Sequence, residues 1–302
     1  MASEKYTSVE AAQLERLKSI GYGDKPRVYL RIFKEEKVLE IWVRSSSEYK
    51  LYRSYDICKY SGELGPKLEE GDKQSPEGFY HVPADDVIWN SAKWPRSLNL
   101  SFPNVFDALK KRTGSYLLIH GGCSSIGCYA LDNGPMEALY AMVSIALKSG
   151  QKLVPIHIFP FRLNEANWER HKGHGSVPFW KKLQPVYDHF NQRRKLPLIL
   201  VCATGYHVYR SGVFDDDAPQ TQGGCMEPLP IGSVEEADVT EIAWVSKLSH
   251  YYKTLLPKQR AKADPAGQIK VSCNLKRPSC KKWLAMRKKM LKRGVLPKSL
   301  LK

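Results

Sequence analysis

The sequence predicts an α+β protein whose middle is mostly strand, with helices set around it. From Arg27 onward apolar residues recur at every second position through three successive segments, and helical spacing is confined to short stretches outside them. Dense Gly and Pro between Ser61 and Gly78 mark a shaped loop rather than an interior element.

Taken in order, Val9, Leu14, Leu17 and Ile20 share one side of a helical projection and predict a helix over 9–20, ended by Gly21 and Gly23. Segments 28–33, 38–43 and 49–58 read as three strands, the first two joined by the polar turn Lys34–Lys37. A strand at 79–82 follows the Gly/Pro-rich loop. Another at 115–119 runs into His120-Gly-Gly-Cys-Ser-Ser-Ile-Gly-Cys128. Met136, Leu139, Tyr140, Val143 and Ala146 give a helix over 135–149 one apolar face. Then come a strand at 154–159 with His157 inside it as a core residue, a helix at 180–190, and a strand at 198–202. An acidic loop (215–227), a helix (239–256) and a linker (258–266) complete the chain before its tail. Four parts result: 1–24, an N-terminal helix; 25–195, the main domain; 196–256, a C-terminal extension; 257–302, linker and basic tail.

The 302 residues are 42% hydrophobic and 11% aromatic, enough for a packed core, which excludes a disordered chain, a collagen-like repeat or a coiled coil. The longest apolar run, 196–203, is strand-sized and far short of the ~20 residues that cross a bilayer. Lys and Arg number 47 against 31 acids, a net +16, but residues 276–302 hold eleven of the cations and no acid. The rest of the chain is 36 against 31, only +5. Such a tail is either a solvated terminus or an element that lies on a polyanion, whether nucleic acid, anionic lipid or cell-wall polymer. Trp283, Met286, Met290 and Leu291 sit at helical spacing within it. Seven cysteines are compatible with one working thiol and up to three bridges, with Cys273 and Cys280 spaced to close a small loop. The given chain starts Met1-Ala-Ser-Glu-Lys-Tyr, without an apolar leader. That fits either a cytoplasmic protein or a mature chain whose leader is not included.

A thiol at neutral pH is mostly protonated unless a neighbour lowers its pKa or takes its proton. Cys128 follows Gly127, which allows a tight turn that presents the sulfur. The N–H groups of Gly127 and Cys128 are candidates to meet an oxyanion. His120 ends a strand eight residues upstream, close enough for a folded loop to return it to the sulfur. The competing readings are a buried, inert Cys with a structural His, or a metal site of His120, Cys123 and Cys128; His171 and His174 offer the other compact ligand pair.

His120-Gly121 and Ser125-Ile-Gly-Cys128 resemble the active-site signature of the YkuD family of L,D-transpeptidases. The short spacing between His-Gly and Gly-Cys resembles its YafK-like branch. Further segments are similar in the same order: Phe33-Lys-Glu-Glu, Leu39-Glu-Ile-Trp, Ile57-Cys, Ser61-Gly-Glu-Leu-Gly-Pro-Lys, Gly71-Asp-Lys-Gln-Ser-Pro-Glu-Gly-Phe-Tyr, Phe102-Pro-Asn, Arg112-Thr-Gly-Ser and Ile158-Phe-Pro-Phe, spanning roughly 26–190. Tyr129 and Ala130 follow Cys128 where most family members carry an Arg two residues after the Cys, a departure similar to that of the YafK-like branch.

The resemblance implies a β-rich, sandwich-like catalytic domain and acyl transfer on peptidoglycan stem peptides. It implies Cys128 as nucleophile, His120 as general base, and Ser125, Gly127 and Gly121 as the loop shaping the oxyanion site. Cys123, Ser124, Lys67 and Tyr129 are then expected along the substrate groove, with Cys123 alternatively a resolving thiol. The loop holding Gly65, Pro66, Lys67, Gly71, Asp72, Pro76, Glu77 and Gly78 is expected beside the cleft, either as plain turn chemistry or in contact with substrate. Tyr140 and Trp94 are assigned to packing, and Tyr206, His207 and Tyr209 to no more than the cleft rim. No metal, other cofactor or nucleic-acid partner is expected. An exported protein acting in the periplasm follows from the substrate's location, with the basic tail against the domain or an anionic envelope surface. Two other functions stay open: a hydrolase releasing a protein or peptide from diaminopimelate, and a non-catalytic wall-binding module with a basic anchor.

Overall fold

The structure is a computed structural model that describes residues 7–83, 87–88, 96–202, 205–209 and 221–223. These all belong to one compact unit, Met1–Gly223. The expectations for Trp94, for the helix at 239–256, for Cys273 and Cys280 and for the basic tail lie outside the described residues.

Alternating apolar residues build the main sheet. Its strands are β1 (Val28–Phe33), β2 (Val38–Ser45), β3 (Glu48–Asp56), β4 (Gly78–Pro83) and β9 (Leu153–Phe159), in the order β3-β2-β1-β9-β4. β1 pairs antiparallel with β2 and parallel with β9, so it is central and buried along its whole length. Its polar member is therefore paired: Arg31 Nε bonds Glu40 Oε2 at 3.0 Å while its guanidinium lies over the Phe33, Trp42 and Phe190 rings. Arg162 meets the second Glu40 oxygen at 2.8 Å.

Period two sorts each strand between two cores. Val28, Leu30, Ile32, Ile156 and Ile158 face one cluster, shared with Met136, Leu139 and Val143 of α3 (Asn133–Lys148). The same cluster takes Leu98 and Ile119 from a second sheet, β5 (Val87–Ile88), β6 (Ser97–Asn99), β7 (Leu118–His120) and β8 (Tyr129–Ala130). This is the sandwich-like layering, with α1 (Ser8–Ser19) on α3. Phe33, Phe79 and Phe159 point the other way, into an aromatic cluster with Phe179, Trp180, Leu183 and Val186.

Several elements differ from the sequence reading. The helix expected over 180–190 is two pieces, α5 (Val177–Trp180) and α6 (Gln184–Arg193), the second started with Pro185 in its first turn. The strand expected at 115–119 shrinks to β7 because Tyr116 adopts φ 51. A short helix, α2 (Val105–Leu109), was not anticipated. His171 closes another, α4 (Glu165–His171), and is bonded at 2.9 Å to Glu35. β10 (Leu198–Cys202) pairs with β11 (Gly205–Tyr209) and β12 (Thr221–Gly223), and its Ile199 and Val201 join the aromatic cluster. The compact unit thus takes in the first part of the extension. No helix among the described residues is long and apolar enough to cross a membrane.

Candidate active site

β7 and β8 pair in parallel, with Ile119 opposite Tyr129 and His120 opposite Ala130. Cys128 immediately precedes β8, and the loop brings its sulfur to the backbone N–H of Leu118 in β7, the strand that His120 ends. The loop between them turns back on itself through Gly122 (φ 88), Cys123 (φ 46) and Gly127 (φ 119). At Gly127 that angle is open to glycine and costly to any other residue.

His120 is buried, and its Nδ1 lies 2.6 Å from the Gly121 carbonyl. A carbonyl only accepts, so Nδ1 carries the proton and Nε2 is the basic nitrogen. The Cys128 sulfur is half-buried and takes part in no disulfide. It accepts from the Leu118 N–H at 3.4 Å and lies 3.7 Å from the Tyr116 carbonyl. Tyr116 and Ile126 flank it with large exposed side chains, 77% and 75% accessible. Burial pushes the Cys128 thiol up, against smaller downward pulls from the Leu118 N–H and the charge of Lys67. The resting sulfur is therefore a thiol and needs a base at the moment of attack.

Three hydroxyls fix the backbone that carries it. Ser125 and Ser75 both donate to the Cys128 carbonyl, at 2.7 and 2.9 Å. The Gly127 N–H donates to Ser61 Oγ and, at 3.3 Å, to Ser125 Oγ. Ser61 and Ser75 are further tied, Ser61 N–H to Ser75 Oγ at 3.1 Å and Ser75 N–H to the Ser61 carbonyl at 2.9 Å. The Gly/Pro-rich loop thus lies against the backbone of Gly127 and Cys128, held there by Ser61 and Ser75, which the sequence reading treated only as turn residues.

Other expectations need correction. The Gly127 N–H is engaged by hydroxyls, which removes it from the pair of amides expected to face an oxyanion; its glycine serves the turn. A Cβ at Gly121 would come within 2.5 Å of Asn133 Oδ1, so a side chain there would require the Asn133 side chain to move. Tyr129 is fully buried and donates to the Pro76 carbonyl at 2.8 Å, so it is core and not groove. Cys123 is disulfide-bonded to Cys58, at the end of the third strand region, and is neither a resolving thiol nor free for a metal. Asp132 sits with those two sulfurs, but the sulfurs bond each other. Ser124 is exposed on the loop, as a groove residue would be. Tyr206 belongs to the aromatic core, its hydroxyl 2.9 Å from Asn104 Nδ2, and leaves the rim; His207 is exposed. An open cavity of about 860 Å³ lined by Trp168, Lys181, Asp188, Arg193 and Val208 contains none of these loop residues.

Lys67 is 3% exposed, so it is no groove wall. Its ammonium bonds Asp72 Oδ1 and the Glu69 carbonyl, and its stem is roofed by Gly114, where any Cβ would come within 2.6 Å of Lys67 Cε. Asp72 is pushed up by burial, but the Lys67 bond and the N–H groups of Gln74, Leu68 and Glu69 outweigh this and hold its carboxyl below the usual range. Lys67 therefore stays paired and acts on Cys128 through its field. Lys67→Met is expected to move the midpoint of Cys128 alkylation by iodoacetamide to higher pH. An unchanged midpoint would assign Lys67 to the turn alone.

The chain is 45% identical over 181 residues to YafK of Escherichia coli strain K12, whose name marks it as a candidate L,D-transpeptidase; the match covers 60% of this chain and 73% of that one. The YafK of Escherichia coli O157:H7 matches to the same extent. No protein-family model matches the chain. Among solved structures, the helical cell shape determining protein Pgp2 of Campylobacter jejuni (K307A mutant) aligns at 21% identity and TM-score 0.35, over 51% of this chain and 57% of that one. L,D-transpeptidase 1 of Mycobacterium tuberculosis aligns at 11% and 0.26, over 44% and 62%. At 45% identity across nearly three quarters of the YafK chain, this protein belongs to the YafK-like L,D-transpeptidase family.

Proposed function

We propose that the protein is a peptidoglycan L,D-transpeptidase that carries its donor stem peptide as a thioester on Cys128. The reading is supported above all by the parallel pairing of β7, which His120 ends, with β8, which Cys128 immediately precedes, and by the partial exposure of Cys128. As the Cys128 sulfur attacks the carbonyl carbon of an amide beside a diaminopimelate centre, its proton passes to His120 Nε2. The tetrahedral intermediate collapses with loss of the C–N bond, and the imidazolium protonates the departing amine. An amine of a second stem then attacks the thioester, gives its proton to His120 and releases the thiol. The Cys128 N–H is the amide left to meet the oxyanion.

The substrate's location argues for work in the periplasm. The Cys58–Cys123 bond supports this, since disulfides persist in oxidising compartments. The basic stretch 276–302 has the charge to hold an anionic envelope surface. Incubation with imipenem followed by peptide mapping tests the nucleophile: the adduct is expected on the peptide containing Cys128. Muropeptide turnover without any such adduct would overturn the assignment. With purified stem peptides, new dimers are the expected product, and monomers alone would point to hydrolysis.

A further inference from the structure

Lys34 and Glu77 form an ion pair with no exposed side-chain surface, Nζ to Oε1 at 3.4 Å. Burying two charges costs several kcal/mol per ion, and such a pair is often no more stable than an apolar pair of similar volume. A role beyond stability is therefore worth asking of it, and its neighbours supply one. The Lys34 ammonium also donates to three loop carbonyls, those of Glu63, Gly65 (3.3 Å) and Ser75 (2.9 Å). Glu77 accepts from the Gly65 N–H at 2.6 Å through Oε1 and from Trp180 Nε1 at 2.8 Å through Oε2. Both ends of the loop are thus tied to one buried point at the end of β1.

The same loop touches the nucleophile at consecutive residues. Ser75, whose carbonyl Lys34 holds, donates its hydroxyl to the Cys128 carbonyl. Pro76, the next residue, accepts from the hydroxyl of Tyr129, the residue after Cys128. Ser61 takes the N–H of Gly127, the residue before it. Cys128 is therefore bracketed on both sides by a loop whose position is set by Lys34 and Glu77. We propose that this buried pair consists of positioning residues that hold the Cys128 sulfur in line for attack, an inference that rests on the reading of Cys128 as nucleophile.

Lys34→Met alone leaves a buried carboxylate without its cation and puts folding at risk, so the test uses the neutral double variant Lys34→Met/Glu77→Gln together with Ser75→Ala. The readout is the rate of Cys128 acylation by imipenem across concentrations, alongside circular dichroism for folding. A displaced sulfur still meets a bound reagent, so the limiting rate is expected to fall about 10- to 100-fold while the half-saturating concentration stays within about twofold. Ser75→Ala should fall in the same direction, by less. A folded double variant, or a folded Ser75→Ala, acylated at the wild-type limiting rate overturns the inference, as does a loss confined to half-saturation. Wild-type protein that forms no adduct at Cys128 overturns the underlying reading, and this inference with it.

Discussion

Cys128→Ala is expected to leave no measurable turnover of a diaminopimelate-containing stem peptide, and His120→Ala to lower it by about 10²- to 10⁴-fold. The two losses should differ in their pH dependence. Burial keeps the Cys128 thiol above its ordinary value, so in the proposed mechanism attack depends on the His120 imidazole taking the proton. Without His120 the only route to thiolate is ionisation by solvent, so residual activity should climb with pH through the raised thiol pKa. The wild type should already be active near neutrality. Rates measured from pH 6 to 10 check this. A His120→Ala profile parallel to that of the wild type would mean that another group takes the proton.

The second large effect concerns stability. Cys58 and Cys123 close a loop with a sequence separation of 65, and one end lies between His120 and Cys128. Removing such a bridge costs about 2–4 kcal/mol, largely by freeing the unfolded chain. For a unit of this size that corresponds to a Tm lowered on the order of 5–15 °C. Cys58→Ser/Cys123→Ser should show it in thermal unfolding followed by circular dichroism, and dithiothreitol should reproduce it in the wild type. Since Cys123 anchors the loop that leads to Cys128, acylation at the proposed nucleophile should also slow. Equal unfolding midpoints for the two proteins would remove the bridge from the stability argument.

What could be read in advance follows from how local each signal is. Period-two alternation in 28–33, 38–43 and 154–159 reports burial on the strand's own two faces, and those strands stand where expected. His120 and Cys128 lie in one short segment with its own glycines, and the parallel pairing of the strands at its two ends brings the ends of that segment side by side. Ser61 and Ser75 were not legible: their hydroxyls matter only because a distant loop crosses the backbone of Gly127 and Cys128, and Ser in a Gly/Pro-rich stretch reads as turn. The partner of Cys123 could not be deduced either, because cysteine spacing leaves connectivity open. Lys67 and Tyr129 were misassigned for a shared reason. A Lys and a Tyr next to a reactive loop suggest contact with substrate, whereas Asp72 and the glycine at 114 bury the first, and the Pro76 carbonyl buries the second.

The connection from β7 to β8 has a consequence for engineering. Neighbouring parallel strands are ordinarily joined by a dozen residues or more, yet here the chain returns after residues 121–128. A span this brief has no slack. Adding or deleting one residue ahead of Cys128 would disturb the hydroxyl contacts that hold Gly127 and Cys128, so libraries aimed at new acceptors should vary side chains at positions such as Ser124 and Ile126 and keep the segment's length unchanged.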